Sequence, residues 1–337
     1  MNVLIGMSGG IDSTYAAYLL KSHGHYVEAA ALKMSEHTDI EAAAESAENL
    51  NIKLNVIDCT NIFDTYIIQN FINEYSAGRT PNPCVMCNRY VKIQSLYEYA
   101  VNNGFDKIAT GHYAFIKNNN GRYYAERAAD IKKDQSYVLW QLTQRQLEYF
   151  ITPLAALTKD HIRNEAKNLR FKAAEKAESQ EICFIPDKNY AGYIEKIKGV
   201  YLSGNFVDKN GKIIGRHKGI IHYTVGQRKG LGISSDNPLY ITKIDPAENT
   251  IVLDEHGSEY GDYLEAQDLS FQYLPPDTES FIAEVKIRYA AAPVPADVII
   301  KNNIAAVRLK SPVRAITPGQ SAVFYSGDKL LCGGIIK

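Results

Sequence analysis

The chain has 337 residues, of which 45% are hydrophobic and 22% charged. This balance excludes wholesale disorder, and at roughly 100–200 residues per domain the length predicts two or three domains. The net charge of −1 neither requires nor excludes a polyanionic partner. No apolar run approaches the ~20 residues of a membrane helix. The opening MNVLIGMSGG lacks the basic start of a signal peptide. We therefore expect a cytoplasmic protein with no membrane partner.

The first 110 residues alternate strand and helix signals. Strands are predicted at 2–7, 26–32, 53–58 and 107–110. Helices are predicted at 12–21, 40–50, 62–75 and 91–102. Such a rhythm predicts right-handed crossovers and an α/β fold, with a doubly wound parallel sheet covered by helices on both faces. A hairpin is predicted at 114–128, and further helices are predicted at 144–149, 159–169 and 189–196.

The pattern changes near residue 200. Short runs of Gly, Tyr and Val or Ile then alternate with turns such as KNGK, DPAENT and EHGSEYG. Several short strands at regular spacing predict small β-barrels. We therefore expect an α/β domain at 1–199, a central β domain at 200–262 and a C-terminal β-barrel at 263–337.

A glycine-rich loop joins the first strand to the first helix. Its sequence, SGGIDS at 8–13, brings two glycines, two hydroxyls and a helix N-terminus together. This combination makes an anion cradle suited to pyrophosphate, at the strand end where open α/β sheets bind ligands. It fits neither the GxxxxGK[ST] nor the GxGxxG pattern. A tight turn without a ligand is the weaker alternative.

The loop resembles the PP-loop of ATP pyrophosphatases, which cleave ATP between the α and β phosphates and adenylate a carbonyl oxygen. The resemblance implies ATP and Mg²⁺ as cofactors. The ATP site that it implies comprises Gly6, Met7, Ser8, Gly9, Gly10, Ile11, Asp12, Ser13, Met34 and Gly111.

Five cysteines in a chain without a signal peptide do not indicate a disulfide framework. Cys84 and Cys87 form a C-x-x-C pair, and Cys183 follows in ESQEICF. The pair alone is compatible with a redox site, half a zinc site, or part of a cluster with a distant partner. Structural zinc is disfavoured because a second pair is missing. Cys59 and Cys332 have apolar neighbours and are expected to pack in the core.

A helix is predicted to begin near Asn88, directly after the C-x-x-C pair. A helix N-terminus lowers the pKa of a nearby thiol. We therefore expect a raised thiolate fraction at the pair.

Several longer motifs accompany these features. They are PNPCVMCN, ESQEICFI, KKDQSYVLWQL at 132–142, TVGQRKGLGI at 224–233, KIRYAAAPV at 286–294 and PGQSAVFYSGDKLLCGGII at 318–336. In these motifs the chain resembles the bacterial tRNA-specific 2-thiouridylases over its whole length. The family adenylates the C2 oxygen of the wobble uridine and replaces it with sulfur. The implied partners are tRNA and a protein that carries a persulfide, or sulfide itself.

The resemblance assigns residues by motif. Cys183 would carry the persulfide, and Cys87 would be the nucleophile. Contacts to the target base and to tRNA would come from Asn82, Pro83, Cys84, His112, Lys133, Asp134, Gln135, Arg288, Tyr289 and Gln320. Phosphates would be bound by the basic blocks at 117–172, 209–230 and 286–314.

The chain departs from the family's familiar pattern at Cys84, where those members carry Asp. A third thiol favours Cys84, Cys87 and Cys183 as ligands of a four-iron cluster with one iron open to hydrosulfide. A two-cysteine persulfide relay with Cys84 as a spectator is the alternative. At the level of function, the alternatives are another PP-loop adenylating enzyme and an RNA-binding module with a decayed nucleotide site. The intact SGGIDS disfavours the latter.

Overall fold

A computed structural model of the chain describes residues 1–175 and 182–337. The strands are β1 Asn2–Gly6, β2 Tyr26–Lys33, β3 Leu54–Asp58, β4 Lys107–Ala109, β5 Ala114–Asn119, β6 Arg122–Arg127, β7 Phe150–Ile151, β8 Gly204–Val207, β9 Ile213–His217, β10 Leu239–Asp245, β11 Thr250–Glu255, β12 Tyr260–Phe271, β13 Ser280–Lys286, β14 Val294–Lys301, β15 Ile304–Arg314, β16 Ser321–Ser326 and β17 Lys329–Ile336.

The α-helices are α1 Ile11–Ser22, α2 Ile40–Asn49, α3 Thr60–Phe63, α4 Gln69–Ser76, α5 Pro83–Cys87, α6 Ile93–Asn102, α7 Gln144–Tyr149, α8 Lys159–Asn168 and α9 Tyr190–Lys198. Two π-helical turns, Asp64–Ile68 and Asn88–Lys92, join α3 to α4 and α5 to α6. In the part of the chain that is described, no helix is both long and apolar enough to cross a membrane.

The N-terminal sheet has the strand order β3-β2-β1-β4-β7, and every neighbouring pair is parallel. The side chains of β1 alternate between its two faces, as the period of a strand requires. Val3 and Ile5 join a core with α1, α2 and α8, whereas Leu4 joins a core with α6 and α7. The predicted doubly wound parallel sheet is therefore confirmed.

The central sheet has the order β10-β11-β8-β9, in which β8 and β11 are parallel and the other pairs antiparallel. Its apolar face packs on helices of the preceding part of the chain. Phe71 and Tyr75 of α4 and Ile194 of α9 share a core with Phe206 and Ile251 of the sheet. The central domain thus rests directly on the α/β domain.

Strands β12–β17 form the predicted C-terminal barrel, which closes where β12 pairs with β17. The predicted hairpin β5–β6 extends the barrel sheet, because β6 pairs with β17 at Glu126 and Lys329. By its position in the sequence the hairpin is assigned to the α/β domain, and no residue pattern indicates that it pairs with the barrel. Backbone hydrogen bonds therefore connect the first and last domains.

Aromatic side chains anchor the barrel on the α/β domain. The indole of Trp140 donates to Ser321 Oγ at 3.0 Å, and the hydroxyl of Tyr137 donates to the Ser321 carbonyl at 2.9 Å. Both rings are fully buried. Gly333 of β17 faces the indole so closely that an added Cβ would lie 2.6 Å from it.

We expect Gly333→Ala to destabilise the protein by about 1–3 kcal/mol, because the new methyl group overpacks the Trp140 contact. Thermal unfolding measures the effect. The control is Ser326→Ala, since Ser326 is exposed on the neighbouring strand. Equal melting temperatures for the two variants would contradict the close packing.

Candidate active site

The SGGIDS loop forms a compact turn between β1 and α1. Ser13 Oγ donates to the Gly10 carbonyl at 3.0 Å and accepts from the Ser8 amide at 3.2 Å. Gly9 has a φ of 72°, and an added Cβ would lie 2.5 Å from the backbone of Ala42. The Ser13 hydroxyl therefore shapes the loop, and Gly9, the first of its two glycines, permits its close contact with α2.

The first turn of α1 is left open to an anion. Gly10 is the N-cap residue, and none of the described side chains caps the helix. The first amides of an uncapped helix have no partner within it and carry a partial positive charge. This arrangement agrees with the phosphate cradle predicted from the sequence.

Asp12 connects the loop to two later parts of the chain. Its carboxylate accepts from the Tyr113 hydroxyl at 2.7 Å and from Lys159 Nζ at 2.7 Å. Lys159 is buried at the start of α8. Gly111 packs against the same turn, because an added Cβ would lie 2.7 Å from the backbone of Asp12. Lys159 was not predicted as a site residue, since nothing in TKDHIR marks it.

A cavity of about 430 Å³ opens beside the loop. Its wall contains the predicted ATP residues Gly6, Met7, Ser8, Asp12, Ser13, Met34 and Gly111. It also contains His112, Gln135, Lys92 and Cys183. The structure thus brings the ATP loop and one predicted sulfur carrier to one cavity, whose size is typical of small-molecule sites.

The C-x-x-C pair lies inside a helix that begins earlier than predicted. We call α5 and the π turn after it, residues 83–92, the cysteine helix. Asn82 caps it by accepting from the Val85 amide at 3.4 Å, and Pro83 occupies its first turn. The prediction of a start near Asn88 was wrong, because the Asn–Pro pair is itself the start signal.

The expected depression of the thiol pKa was also wrong for Cys87. Burial raises the pKa of the Cys87 thiol to about 12, although the charge of Lys92 acts in the opposite direction. Cys87 packs in a cluster with Cys59, Phe63 and Val91, and its sulfur lies 3.9 Å from that of Met34. Desolvation therefore outweighs any effect of the helix N-terminus.

The three candidate thiols differ in exposure. Cys84 and Cys183 are exposed, whereas Cys87 is buried. Phe184 packs on Phe63, with ring centroids 5.6 Å apart, and so holds the residue after Cys183 against the cluster that contains Cys87. The ESQE part of the Cys183 motif lies outside the described residues. Cys59 and Cys332 are buried in cores, as expected.

Lys92 is a charged site residue that the sequence analysis missed. It follows Cys87 by five residues. In an α-helix, two side chains at this spacing point about 140° apart around the helix axis. The intervening π turn, in which the Ile93 amide bonds to the Asn88 carbonyl, brings such residues closer in angle. Burial lowers the pKa of Lys92. The nearby thiol groups of Cys87, Cys84 and Cys183 together raise it by more, so the net change is an increase.

The charge of Lys92 also affects His112, which lines the same cavity. Burial, assisted by Lys92, lowers the pKa of His112 to about 3, so this ring is neutral at physiological pH. The His112 Nδ1 atom lies 2.6 Å from Thr110 Oγ1. No hydrogen bond or ion pair to the Lys92 ammonium occurs within residues 1–175 and 182–337. Lys92 is therefore available to an anion in the cavity.

The predicted tRNA residues fall into two groups. Tyr289 donates from its hydroxyl to the Asp134 carbonyl at 3.0 Å, which brings 288–289 beside 133–135. The Asp134 carboxylate is buried and accepts from Ala128 and Ser136, so it is already engaged within the protein. Its predicted contact with tRNA remains a prediction.

Gln320 lies in the second group. Its amide donates to the Thr80 carbonyl at 2.9 Å and to the Pro81 carbonyl at 3.3 Å. The Thr80 amide in turn donates to the Pro318 carbonyl at 2.8 Å. The barrel thereby holds the loop that leads into the cysteine helix.

The predicted iron ligands do not form a metal site in this arrangement. Among residues 1–175 and 182–337, no three His, Cys, Asp or Glu side chains are placed to hold a metal ion. The buried Cys87 and the exposed Cys84 also face different surroundings.

Family models match consecutive segments of the chain. The tRNA methyl transferase HUP domain matches residues 1–187, its PRC-barrel domain matches 191–254, and the aminomethyltransferase beta-barrel domain matches 262–336. These models describe the three-part architecture of an α/β domain followed by two β domains.

Curated relatives match over nearly the full length. The chain is 43% identical to tRNA-specific 2-thiouridylase MnmA 2 of Clostridium botulinum (strain Hall), covering 99% of this chain and 98% of the relative. It is 41% identical to the MnmA proteins of Clostridium acetobutylicum and Acetivibrio thermocellus, covering 99% of each chain. The chain belongs to the family of tRNA-specific 2-thiouridylases, and the resemblance found in the sequence is confirmed.

We expect Lys92→Met to slow the alkylation of Cys183 by iodoacetamide at pH 8 by about 1.4- to 5-fold. Although part of Cys183 is exposed, desolvation of its thiol in the cavity wall raises its pKa, and the charge of Lys92 lowers that pKa by a smaller amount. A partly exposed charge pair contributes about 0.2–1 kcal/mol. Peptide mass spectrometry measures the rate.

Lys92→Arg keeps the charge and should retain most of the rate. Lys107→Met is the control, because Lys107 lies at the other end of the parallel sheet, at the start of β4. Unchanged alkylation in Lys92→Met would contradict the coupling.

Proposed function

We propose that the protein replaces the C2 oxygen of a tRNA uridine with sulfur and uses ATP to activate that oxygen. The observation that carries the proposal is the shared cavity, in which the PP-loop and Cys183 lie in one wall. The base can therefore be activated by ATP and receive sulfur in the same cavity, without moving between two sites. The names of the curated relatives support the same reaction and the same class of substrate.

The first step activates the uridine. The C2 oxygen attacks the α-phosphorus of ATP, a new oxygen–phosphorus bond forms, and the bond to pyrophosphate breaks. The leaving pyrophosphate would be stabilised by the open amides of α1, with Lys159 held near them by Asp12. Mg²⁺ bound to ATP would neutralise phosphate charge.

The second step delivers sulfur. The terminal sulfur of a persulfide on Cys183 attacks C2, and AMP leaves with the former uridine oxygen. The Cys87 thiolate then attacks the Cys183 sulfur, which forms a Cys87–Cys183 disulfide and leaves sulfur on the base. A cellular thiol must reduce this disulfide before the next turnover. The persulfide on Cys183 would come from a carrier protein, whose own persulfide passes its outer sulfur to the Cys183 thiolate and leaves the carrier as a thiol. Sulfide as the donor belongs to the cluster alternative, and both donors remain predictions.

Lys92 supports this chemistry through its position. A positive charge beside Cys87 and Cys183 favours their anionic forms, and the raised pKa of Cys87 keeps that thiol protonated until the site is occupied. The neutral His112 ring can contact a base without adding charge. These features suit a reaction in which the Cys87 thiolate forms only once the substrate occupies the site.

The tRNA would approach from the side that the two β domains share. Arg228 and Lys229 are exposed in the GQRKG loop, and Arg314 fixes that loop by donating to the Gly226 carbonyl at 3.2 Å. Such exposed cations bind phosphates irrespective of sequence. Tyr289 and Gln135 lie closer to the cavity and would contact the anticodon bases.

The four-iron cluster predicted from the third thiol is an alternative mechanism for the sulfur step. It would draw on Cys84, Cys87 and Cys183 and would supply an open iron for sulfide. The sulfur step above follows the two-cysteine relay, and the cysteine variants described next distinguish that relay from the cluster.

The cysteine variants test the proposal and separate the two sulfur mechanisms. We expect Cys87→Ala and Cys183→Ala to lose at least about 100-fold of 2-thiouridine formation, because each removes a covalent participant. Cys84→Ala should retain most activity. Mass spectrometry of tRNA nucleosides measures the product with ATP and a persulfide donor, and iron content is determined on anaerobically purified protein.

Cys332→Ala is the matched control, since that thiol is buried in the barrel. Loss of both iron and activity in Cys84→Ala would establish the cluster instead of the relay. If the unaltered protein forms no 2-thiouridine with any donor, the proposed function is wrong.

A further inference from the structure

We propose that a second cavity, on the other side of the cysteine helix, binds an unpaired base of the tRNA that delivers the target uridine. The inference rests on the proposed function and adds a nucleotide site to it. The cavity has a volume of about 650 Å³, within the range of small-molecule sites. It lies between α4, the cysteine helix and strands β12 and β17 of the barrel.

The cysteine helix turns different sides to the two cavities. Asn82, Met86 and Arg89 line the second cavity at a spacing that places them on one helical face. Lys92 instead lines the ATP cavity. An α-helix with its side chains is about 10 Å across. A single RNA loop can therefore contact both sides of this helix.

Gln141 gives the second cavity an unused recognition group. Its side chain lines the cavity and is 5% exposed. Within the described chain, its Oε1 atom has no hydrogen-bond partner. A buried acceptor without a partner is destabilising, so a ligand that donates to this atom gains a hydrogen bond that the free protein lacks. An amide presents one acceptor and two donors, which is the pattern used to read base edges.

Arg89 gives the cavity a stacking surface. The rings of Tyr66 and Tyr90 stack in parallel with centroids 4.9 Å apart. The Arg89 guanidinium lies over the Tyr90 ring, 4.8 Å from its centroid, and has no ion pair among the described residues. Unstacked RNA bases pack on such guanidinium planes and hydrogen-bond at their edges.

The charges of the cavity favour a base over a phosphate. Arg79 is paired with Glu74, and Lys337 is paired with Glu265. The wall also carries Asp268, which has a φ of 53° in an irregular stretch of β12. A carboxylate repels phosphate but accepts hydrogen bonds from base amino groups. The ligand is therefore a nucleobase, with its phosphate directed to solvent.

The test measures the affinity for an anticodon stem-loop RNA that contains a wobble uridine. We expect Gln141→Leu and Arg89→Met each to raise the Kd about fivefold or more, the effect of losing one stacked or hydrogen-bonded base. Gln141→Leu removes no hydrogen bond of the described structure, so thermal unfolding should show an intact fold. Arg145→Met is the charge-matched control, because Arg145 is exposed and lies outside the cavity wall.

The same RNA is then made with one abasic site at each position beside the target uridine. At one of these positions, loss of the base should weaken binding to the unaltered protein. The same loss should weaken binding to the two variants no further, because the base that would fill the pocket is already bound poorly by them. Affinities of both variants within about twofold of the unaltered protein, or additive losses at every position, would overturn the site. A parallel 2-thiouridine assay keeps this outcome separate from failure of the proposed function.

Discussion

The start of the cysteine helix is the constraint on which the rest of the site depends. Asn82 caps the helix from inside the α/β domain, while Gln320 of the barrel binds the carbonyls of Thr80 and Pro81. These bonds join a loop of the first domain to a loop of the last. The docked barrel therefore helps to hold the start of the helix that carries Cys84, Cys87 and Lys92.

Docking of the barrel has consequences on both sides of that helix. On one side, Met34 contacts Cys87 and connects the sulfur chemistry to the wall of the ATP cavity. On the other side, the barrel contributes Gln267 and Asp268 to a second cavity. The barrel also carries Tyr289, which is expected to contact tRNA, so the barrel links RNA binding to the helix that carries the thiols. Trp140, which is buried against β17, fixes the position of the barrel on the α/β domain.

Much of the fold follows from local patterns in the sequence, and the deviations have physical causes. Alternation of strands and helices predicted the parallel sheet, and SGGIDS predicted the anion cradle. The extension of the barrel by β5–β6 could not be predicted, because Glu126 and Lys329 are paired only by the tertiary structure. Lys92 was missed because its orientation depends on a π turn that no residue of NRYVK signals. The pKa of Cys87 was misjudged because burial outweighs the helix N-terminus.

The central claim is that ATP activates the C2 oxygen of uridine in the cavity where sulfur replaces it. The most direct measurement follows oxygen-18 placed at C2 of the target uridine. If ATP activates the C2 oxygen, the label leaves the tRNA and appears in the phosphate of AMP, with one labelled AMP for each 2-thiouridine formed. Label that stays in the tRNA, or appears in water while AMP is unlabelled, would contradict it.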